Sequence, residues 1–399
     1  MFINGNRPLH SVLNQLAGMA GISFAEPDYT LYASPGDTQI IDSSFVNPVD
    51  ETYYNLLWGL NNTGQAIRNI VGDGSTDIDA PAAWEMTSGS NTIIVAVIDE
   101  AVDMTHPDLQ GVVIDFQKFN TGATAYNHGT HVAGTIAAVD NTIGVVGVAP
   151  NVKIMSLSFL GTNGGSTSNA ILAINYAKEH GAHIINASWG GGGYSQALKD
   201  AIENFGGPFV AASGNDGVNT DGAPHYPSSY ASSNIISVAA VSNKGELANF
   251  SNYGVNSVDI AAPGVDIVST YPGGYAYMSG TSMATPHVAG VVALMKSYKP
   301  DATTNDLIQA LYASGRVLST LSGKMGTGKM IDADNALIAL GGVSNDIIPP
   351  TLVSTFPSDQ TSQVSINTPL KLVFDEPVKL IGSNITLNGT LINAQASGN

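Results

Sequence analysis

The chain has 399 residues, of which 43% are hydrophobic and only 12% charged, a balance that builds a core rather than a disordered polymer. Its 14 Lys and Arg against 32 Asp and Glu give a formal charge of −18, which excludes the basic face that binding a phosphate backbone requires. Cysteine is absent, so neither a disulfide nor a thiolate metal site is available, and no apolar run reaches the length of about 18 residues that a membrane-spanning helix needs.

Three zones follow one another along the chain. In residues 1–35, Met1 to Asn14 hold no apolar signal core. Val12 to Met19 is spaced like a helix, and Phe24 to Tyr32 reads as a strand interrupted by Pro27. Ser34-Pro35-Gly36-Asp37 signals a turn, with a linker over 36–46. Residues 47–342 form the body. There Ile93 to Ile98, Val152 to Leu157, His183 to Ala187 and Phe209 to Ala212 are short apolar runs between amphipathic stretches. One such stretch, Asn169 to His180, is closed by Gly181. This rhythm predicts an α/β fold, a parallel sheet with helices on both faces. Residues 343–399 open with Pro349-Pro350, and Leu370 to Phe374 and Asn384 to Leu387 alternate at period two, predicting a small β-rich segment. It is shorter than the roughly 100 residues of a complete sandwich.

Within the body, the run Val95 to Ile98 delivers Asp99 at its C-terminal end, where open α/β sheets bind their ligands. A carboxylate there is placed to orient an imidazole, although Asp also serves turns and helix caps. Asn127-His128-Gly129-Thr130-His131 opens a predicted helix with His128 at its start. A His128–His131 metal pair is disfavoured, because no third ligand follows and the Glu of a His-Glu-x-x-His motif is missing. Next, Gly280-Thr281-Ser282-Met283-Ala284-Thr285-Pro286 predicts a helix starting near Ser282 with Pro286 in its first turn, where a missing N–H costs little. Ser282 reads as a nucleophile or as a plain N-cap. In Ala211-Ala212-Ser213-Gly214-Asn215-Asp216, Asn215 is a turn residue or an amide donor to a developing oxyanion. The four ambiguous elements together supply a base-orienter, a base, a nucleophile and an anion donor.

These segments resemble the three signatures of the subtilisin-like (subtilase) serine proteases, in that family's chain order of Asp, His and Ser. The Asp segment continues through Val102-Asp103 to His106-Pro107-Asp108-Leu109, and the likeness covers about Asn47 to Gly342. It implies a subtilisin-like fold and a serine endopeptidase acting on proteins or peptides through an acyl-enzyme. Asp99 would orient, His128 would act as general base and acid, Ser282 would attack, and Asn215 would donate to the oxyanion. The resemblance also makes Ser188, Trp189 and Gly190 the strand that pairs with substrate, with Ala212 and Gly214 bordering the binding site. Asp216 beside them would tolerate basic side chains.

The same resemblance implies a structural calcium. Asp108 would supply a carboxylate, Asn141 its side chain, and Val139, Ile143 and Val145 their carbonyls, with Asp50 as a further carboxylate from the N-terminal arm. All-oxygen ligation suits this hard cation. The family's pattern is broken after Asp99, where Glu100 and Ala101 replace a hydroxyl residue and a glycine. An ionised Glu100 only accepts hydrogen bonds, and as a second carboxylate it would raise a neighbouring pKa. Gly21 to Tyr32 resembles the C-terminal end of an inhibitory pro-segment, and the stretch from Ile348 resembles bacterial immunoglobulin-like repeats. Both imply an exported protein whose signal lies outside the given sequence. Two other readings are a binding module with a dead site, against which the complete triad speaks, and a latent zymogen.

Overall fold

The computed structural model describes residues 9–17, 19, 22, 25–33, 38–40, 53–74, 76–120 and 126–341, and four stretches beyond them, 352–357, 371–374, 385–387 and 390–392. Asp50 lies outside the described residues, as do Ser34 to Asp37. The chain divides into two units after Ser344.

The first unit is built on a nine-stranded sheet. Its strands in chain order are β1 (Ile94–Asp99), β2 (Val113–Lys118), β3 (Lys153–Ser158), β4 (Ile184–Ala187), β5 (Phe209–Ala212), β6 (Ile235–Val241), β7 (Ile260–Pro263), β8 (Arg316–Val317) and β9 (Lys329–Met330). The spatial order is β8-β9-β7-β6-β5-β4-β1-β3-β2, parallel throughout except for β8 against β9. The central strands are apolar on both faces because both faces are covered. In β1, Val95 and Val97 join one core while Ala96 and Ile98 join the other. Alternation of this kind is what the two-residue strand period produces between two helical layers.

Among the described residues five helices contribute to the first core, Ala80–Met86, Thr304–Ser314 and Ala333–Ala339 among them, and two to the second. Helices α1 (Asn127–Ala137) and α4 (Thr281–Tyr298) pack on the first face, and α2 (Thr167–Glu179) and α3 (Gln196–Phe205) on the second. Every residue of α4 from Thr281 to Met295 is buried, including the polar Thr281, Ser282, Thr285 and His287. Strand β1 lies between β3 and β4, and the chain leaves it first toward one side and later toward the other. That reversal opens a crevice beyond its carboxyl end, where Asp99 stands.

The structure corrects several local expectations. Helix α4 begins at Thr281, so Pro286 sits inside it and not in the first turn. The N–H that Pro286 lacks would have reached the carbonyl of Ser282 four residues back. Ser188 Oγ–H donates to that carbonyl instead, at 2.9 Å. The N-terminal helix is Leu9–Ala17, starting earlier than Val12, and the strand is confined to Thr30–Ala33. The preceding Glu26 and Asp28 use their side chains on helix ends, and Pro27 between them has no N–H for a ladder. Inside the expected linker, Thr38–Ile40 pairs antiparallel with Gly274–Met278. In the second unit, Leu352–Phe356 pairs antiparallel with Lys371–Phe374, and Ile385–Leu387 with Thr390–Ile392.

Candidate active site

Asp99 ends β1 with no exposed surface. Its Oδ1 accepts from His128 Nδ1 at 2.8 Å and from the Glu100 N–H at 2.6 Å. Oδ2 has no hydrogen-bond partner among the described residues. His128 lies in the first turn of α1, brought up to the strand end by Gly129. A Cβ on Gly129 would lie 2.5 Å from the Glu100 carbonyl oxygen and 2.8 Å from that of Ala101. Only glycine permits so close an approach of helix to strand.

With Nδ1 engaged by Asp99, His128 Nε2 has no partner among the described residues and is the nitrogen able to take a proton. Glu100 Oε2 accepts from the main-chain N–H of His128 at 2.9 Å. It thus satisfies an orphan donor at the start of α1, whose N-cap Tyr126 makes no side-chain cap. Burial lowers the His128 pKa, but Asp99 and then Glu100 outweigh it, and the imidazole ends above its ordinary value. Burial first, and Asp99 second, push the Glu100 carboxyl up.

Ser282 Oγ donates to the Ser188 carbonyl at 2.9 Å, and the Ser188 hydroxyl returns a bond to the Ser282 carbonyl. The pair locks the start of α4 to the chain leaving β4. Helices α1 and α4, which carry His128 and Ser282 in their first turns, pack on each other. In this side-chain arrangement the serine hydroxyl is directed to Ser188. Asn215 Oδ1 accepts from both the N–H and the hydroxyl of Thr281, each at 2.9 Å. The acceptor end of the amide is thereby fixed, leaving Nδ2 as the donating end.

Ser188, Trp189 and Gly190 follow the carboxyl end of β4, Ala212 ends β5, and Gly214 lies just beyond it. Trp189 is fully buried; its Nε1–H donates to the Ile98 carbonyl at 2.6 Å, and its ring meets Phe159 edge-on with centroids 4.9 Å apart. Thr30–Ala33 lies antiparallel between Trp189–Gly190 and Gly165–Ser166, with Tyr32 opposite Gly190 and Leu31 opposite Gly165. Leu31 is 1% exposed and shares a core with Phe159, Leu160 and Trp189.

His131, the other member of the discounted metal pair, is buried behind His128. Its Nε2 faces the carbonyls of Ile267 at 3.0 Å and Ala276 at 3.1 Å, and burial pushes its pKa down to about 3. Among the described residues there is no cluster of three or more His, Cys, Asp or Glu placed to hold a metal. The loop expected to bind calcium is nonetheless ordered around one carboxylate. Asp108 is wholly buried; its Oδ2 accepts from the Val145 N–H at 2.9 Å, and Asn141 Nδ2 approaches its Oδ1 at 3.4 Å. Tyr275 also hydrogen-bonds to it, and burial raises its pKa. The carbonyls of Val139, Ile143 and Val145 accept no hydrogen bond among the described residues. One buried carboxylate, a side-chain amide and three unused carbonyls fit a hard cation in kind.

A family model, that of the subtilase family, matches residues 90–328. The chain belongs to the subtilase family. This subtilase is similar to a thermophilic serine proteinase of Bacillus sp. (strain AK1), 41% identical over 299 residues that cover 72% of this chain and 67% of the relative. It is also similar to thermitase of Thermoactinomyces vulgaris, 44% identical over 56% of this chain and 81% of that protein. Among solved structures, a protease from Pseudoalteromonas arctica superposes with a TM-score of 0.63 at 31% identity, covering 73% of this chain and 99% of that one. The subtilase is accordingly a serine endopeptidase of α/β fold.

Sequence reasoning missed three side chains at this subtilase's cleft. Glu26 accepts from the Ser195 hydroxyl and from the N–H groups of Gln196 at 2.8 Å and Ala197 at 3.1 Å, capping α3. Asp28 accepts from the Ser168 N–H at 2.8 Å and hydroxyl at 2.7 Å, capping α2. The available signal was two carboxylates spaced around Pro27, but their partners are more than a hundred residues away. His225, a lone histidine in a polar loop, carries no motif at all.

Glu100→Gln keeps an acceptor for the His128 N–H and removes the charge. A general base must be neutral to act, and a raised pKa keeps it protonated to higher pH. The acid limb of kcat/KM, set by His128 among Asp99, Glu100 and the neutral His131, is expected to move to lower pH in this variant. A limb that stays in place would show that Glu100 acts only as a cap.

Proposed function

We propose that Ser282 is the nucleophile of this endopeptidase, His128 its general base and acid, Asp99 the orienting carboxylate, and Asn215 a donor to the oxyanion. The observation that carries this reading is the buried 2.8 Å contact between His128 Nδ1 and Asp99, which leaves Nε2 as the basic nitrogen on a helix packed against the one that bears Ser282. Ser282 Oγ attacks the peptide carbonyl while its proton passes to His128 Nε2. The carbonyl oxygen, now an oxyanion, takes hydrogen bonds from Asn215 Nδ2 and the Ser282 N–H. Collapse breaks the C–N bond, and His128 returns the proton to the leaving amine. Water, deprotonated by the same nitrogen, then releases the acyl group from Ser282.

Peptide substrates bind, in this reading, as a strand added between Trp189–Gly190 and Gly165–Ser166. The chain's own Thr30–Ala33 holds that register, and Leu31 is sequestered in the apolar site beside Trp189. Residues 25–33 thus act as an intramolecular inhibitor, with Glu26 and Asp28 clamping them to two helix ends that favour carboxylates. Export from the cell, with Thr30–Ala33 belonging to a pro-segment removed on maturation, is part of the same proposal.

A structural calcium completes the reading. Asp108, the Asn141 side chain and the carbonyls of Val139, Ile143 and Val145 would hold it, with Asp50 as an added carboxylate. The ion would neutralise the buried Asp108 and tie the loop to the end of α1.

Asn215→Ala is expected to lower kcat by about 10²–10³ with little change in KM, because the donor meets full oxyanion charge only in the transition state. An effect on KM alone would instead make Asn215 a ground-state contact. Calcium is expected to raise the melting temperature, since a ligand at 100 times its Kd stabilises the folded state by about 2.7 kcal/mol. Asp108→Asn should remove most of that gain. Equal melting temperatures with calcium and with chelator would refute the site.

A further inference from the structure

The two main-chain segments that leave the sheet at β4 and β5, Ser188–Gly190 and Ala212–Gly214, flank a gap beside Ser282. His225 stands in that gap. A Cβ added to Gly190 would run into the His225 ring, and one added to Gly214 would lie 2.9 Å from Cδ2 and 3.0 Å from Cγ. The imidazole is therefore wedged between two glycine backbones, one on each side. Its Nδ1 is buried without a hydrogen-bond partner among the described residues.

The loop holds the ring firmly. The His225 N–H donates to Ser229 Oγ at 3.0 Å, and its carbonyl accepts from Ser228 Oγ at 2.8 Å and the Ser229 N–H at 2.9 Å. The Gly191 N–H donates to the Tyr226 carbonyl at 2.9 Å, joining this loop to the facing segment. Burial keeps the imidazole pKa below its ordinary value, and the charge of the exposed Asp216 works in the opposite direction. The ring is neutral at neutral pH and offers a substrate no charge.

We propose that His225 sets the selectivity of this enzyme for the residue that supplies the scissile carbonyl, restricting it to small side chains such as Gly, Ala and Ser. The inference rests on the reading of Ser282 as nucleophile. Ala33 lies opposite Trp189, so the next residue of any peptide in that antiparallel register comes opposite Ser188. The Ser188 carbonyl holds the Ser282 hydroxyl at 2.9 Å, which puts that residue's own carbonyl at the point of attack. Its side chain meets the gap between the two glycines, and the imidazole already fills it. A large aromatic or aliphatic group must displace a ring anchored on both sides, whereas a methyl or hydroxymethyl group need not enter. Asp216, expected from the sequence to tolerate basic side chains, is exposed, and its charge acts on the imidazole.

The test compares two peptide anilides that differ only in Ala or Phe at the acyl-side residue, with the full chain after removal of its N-terminal segment. Wild-type enzyme is expected to favour Ala in kcat/KM. His225→Gly should raise kcat/KM for the Phe peptide by roughly 10–200-fold, the range that pocket volume commands, while the Ala peptide changes little. His225→Ala, with a smaller opening, should give an intermediate gain and serves where the glycine variant folds poorly. Equal use of both peptides by wild type, or an unchanged ratio in the folded variants, overturns the proposal. Retained turnover of both peptides by Ser282→Ala would instead overturn the nucleophile, a separate failure.

Discussion

A carboxylate with no exposed surface at the end of a buried strand must be matched, and most of the architecture around the cleft follows from matching Asp99. An unpaired buried charge is costly, and a hydrogen-bonded imidazole held at 2.8 Å meets the need while acquiring an orientation. That pairing requires helix α1 to start within reach of the strand end, which Gly129 permits. It also requires the strand to end at a reversal in sheet order, which leaves room for the helix and a crevice beyond it. The Ser188–Ser282 exchange is the second fastening. It occupies the carbonyl that Pro286 leaves without an internal donor, and so ties the start of α4 to the chain leaving β4.

Glu100 shows how the same constraint can be met differently. The hydroxyl residue common in the family at this place would support Asp99 directly; here the side chain turns to the His128 main chain, and Asp99 Oδ2 is left without a partner among the described residues. The base is therefore flanked by two carboxylates, and both act to raise its pKa against the effect of burial. The cost falls on Glu100 itself, whose own carboxyl is pushed up by burial and by Asp99. The site gains a cap for α1 and gives up a hydrogen bond to its orienting carboxylate.

Much of this was legible in the sequence because it is local. Runs such as Val95 to Ile98 and Phe209 to Ala212 announce strands buried on both faces, and the Asp, His, Ser and Asn segments stand where such strands and helices begin and end. The start of helix α4 was read to within one residue, but Pro286 falls inside the helix, where a side-chain donor from Ser188 serves the carbonyl that Pro286 leaves. The short reach of Thr30–Ala33, and the capping by Glu26 and Asp28, were hidden because the partners are remote in sequence. His225 was invisible for the same reason: its meaning lies in two glycines on other segments that it happens to separate. The period-two pattern of Leu370 to Phe374 did appear as the strand Lys371–Phe374.

Every step of the proposed chemistry depends on Ser282 being activated by the His128–Asp99 pair. The direct measurement is to react the protein, freed of its N-terminal segment, with a fluorophosphonate and locate the adduct by peptide mass spectrometry. Modification of Ser282 alone, slowed severely in His128→Ala while the variant keeps its melting temperature, is the predicted result. An adduct on another residue, or labelling of Ser282 at the same rate without His128, would contradict the assignment.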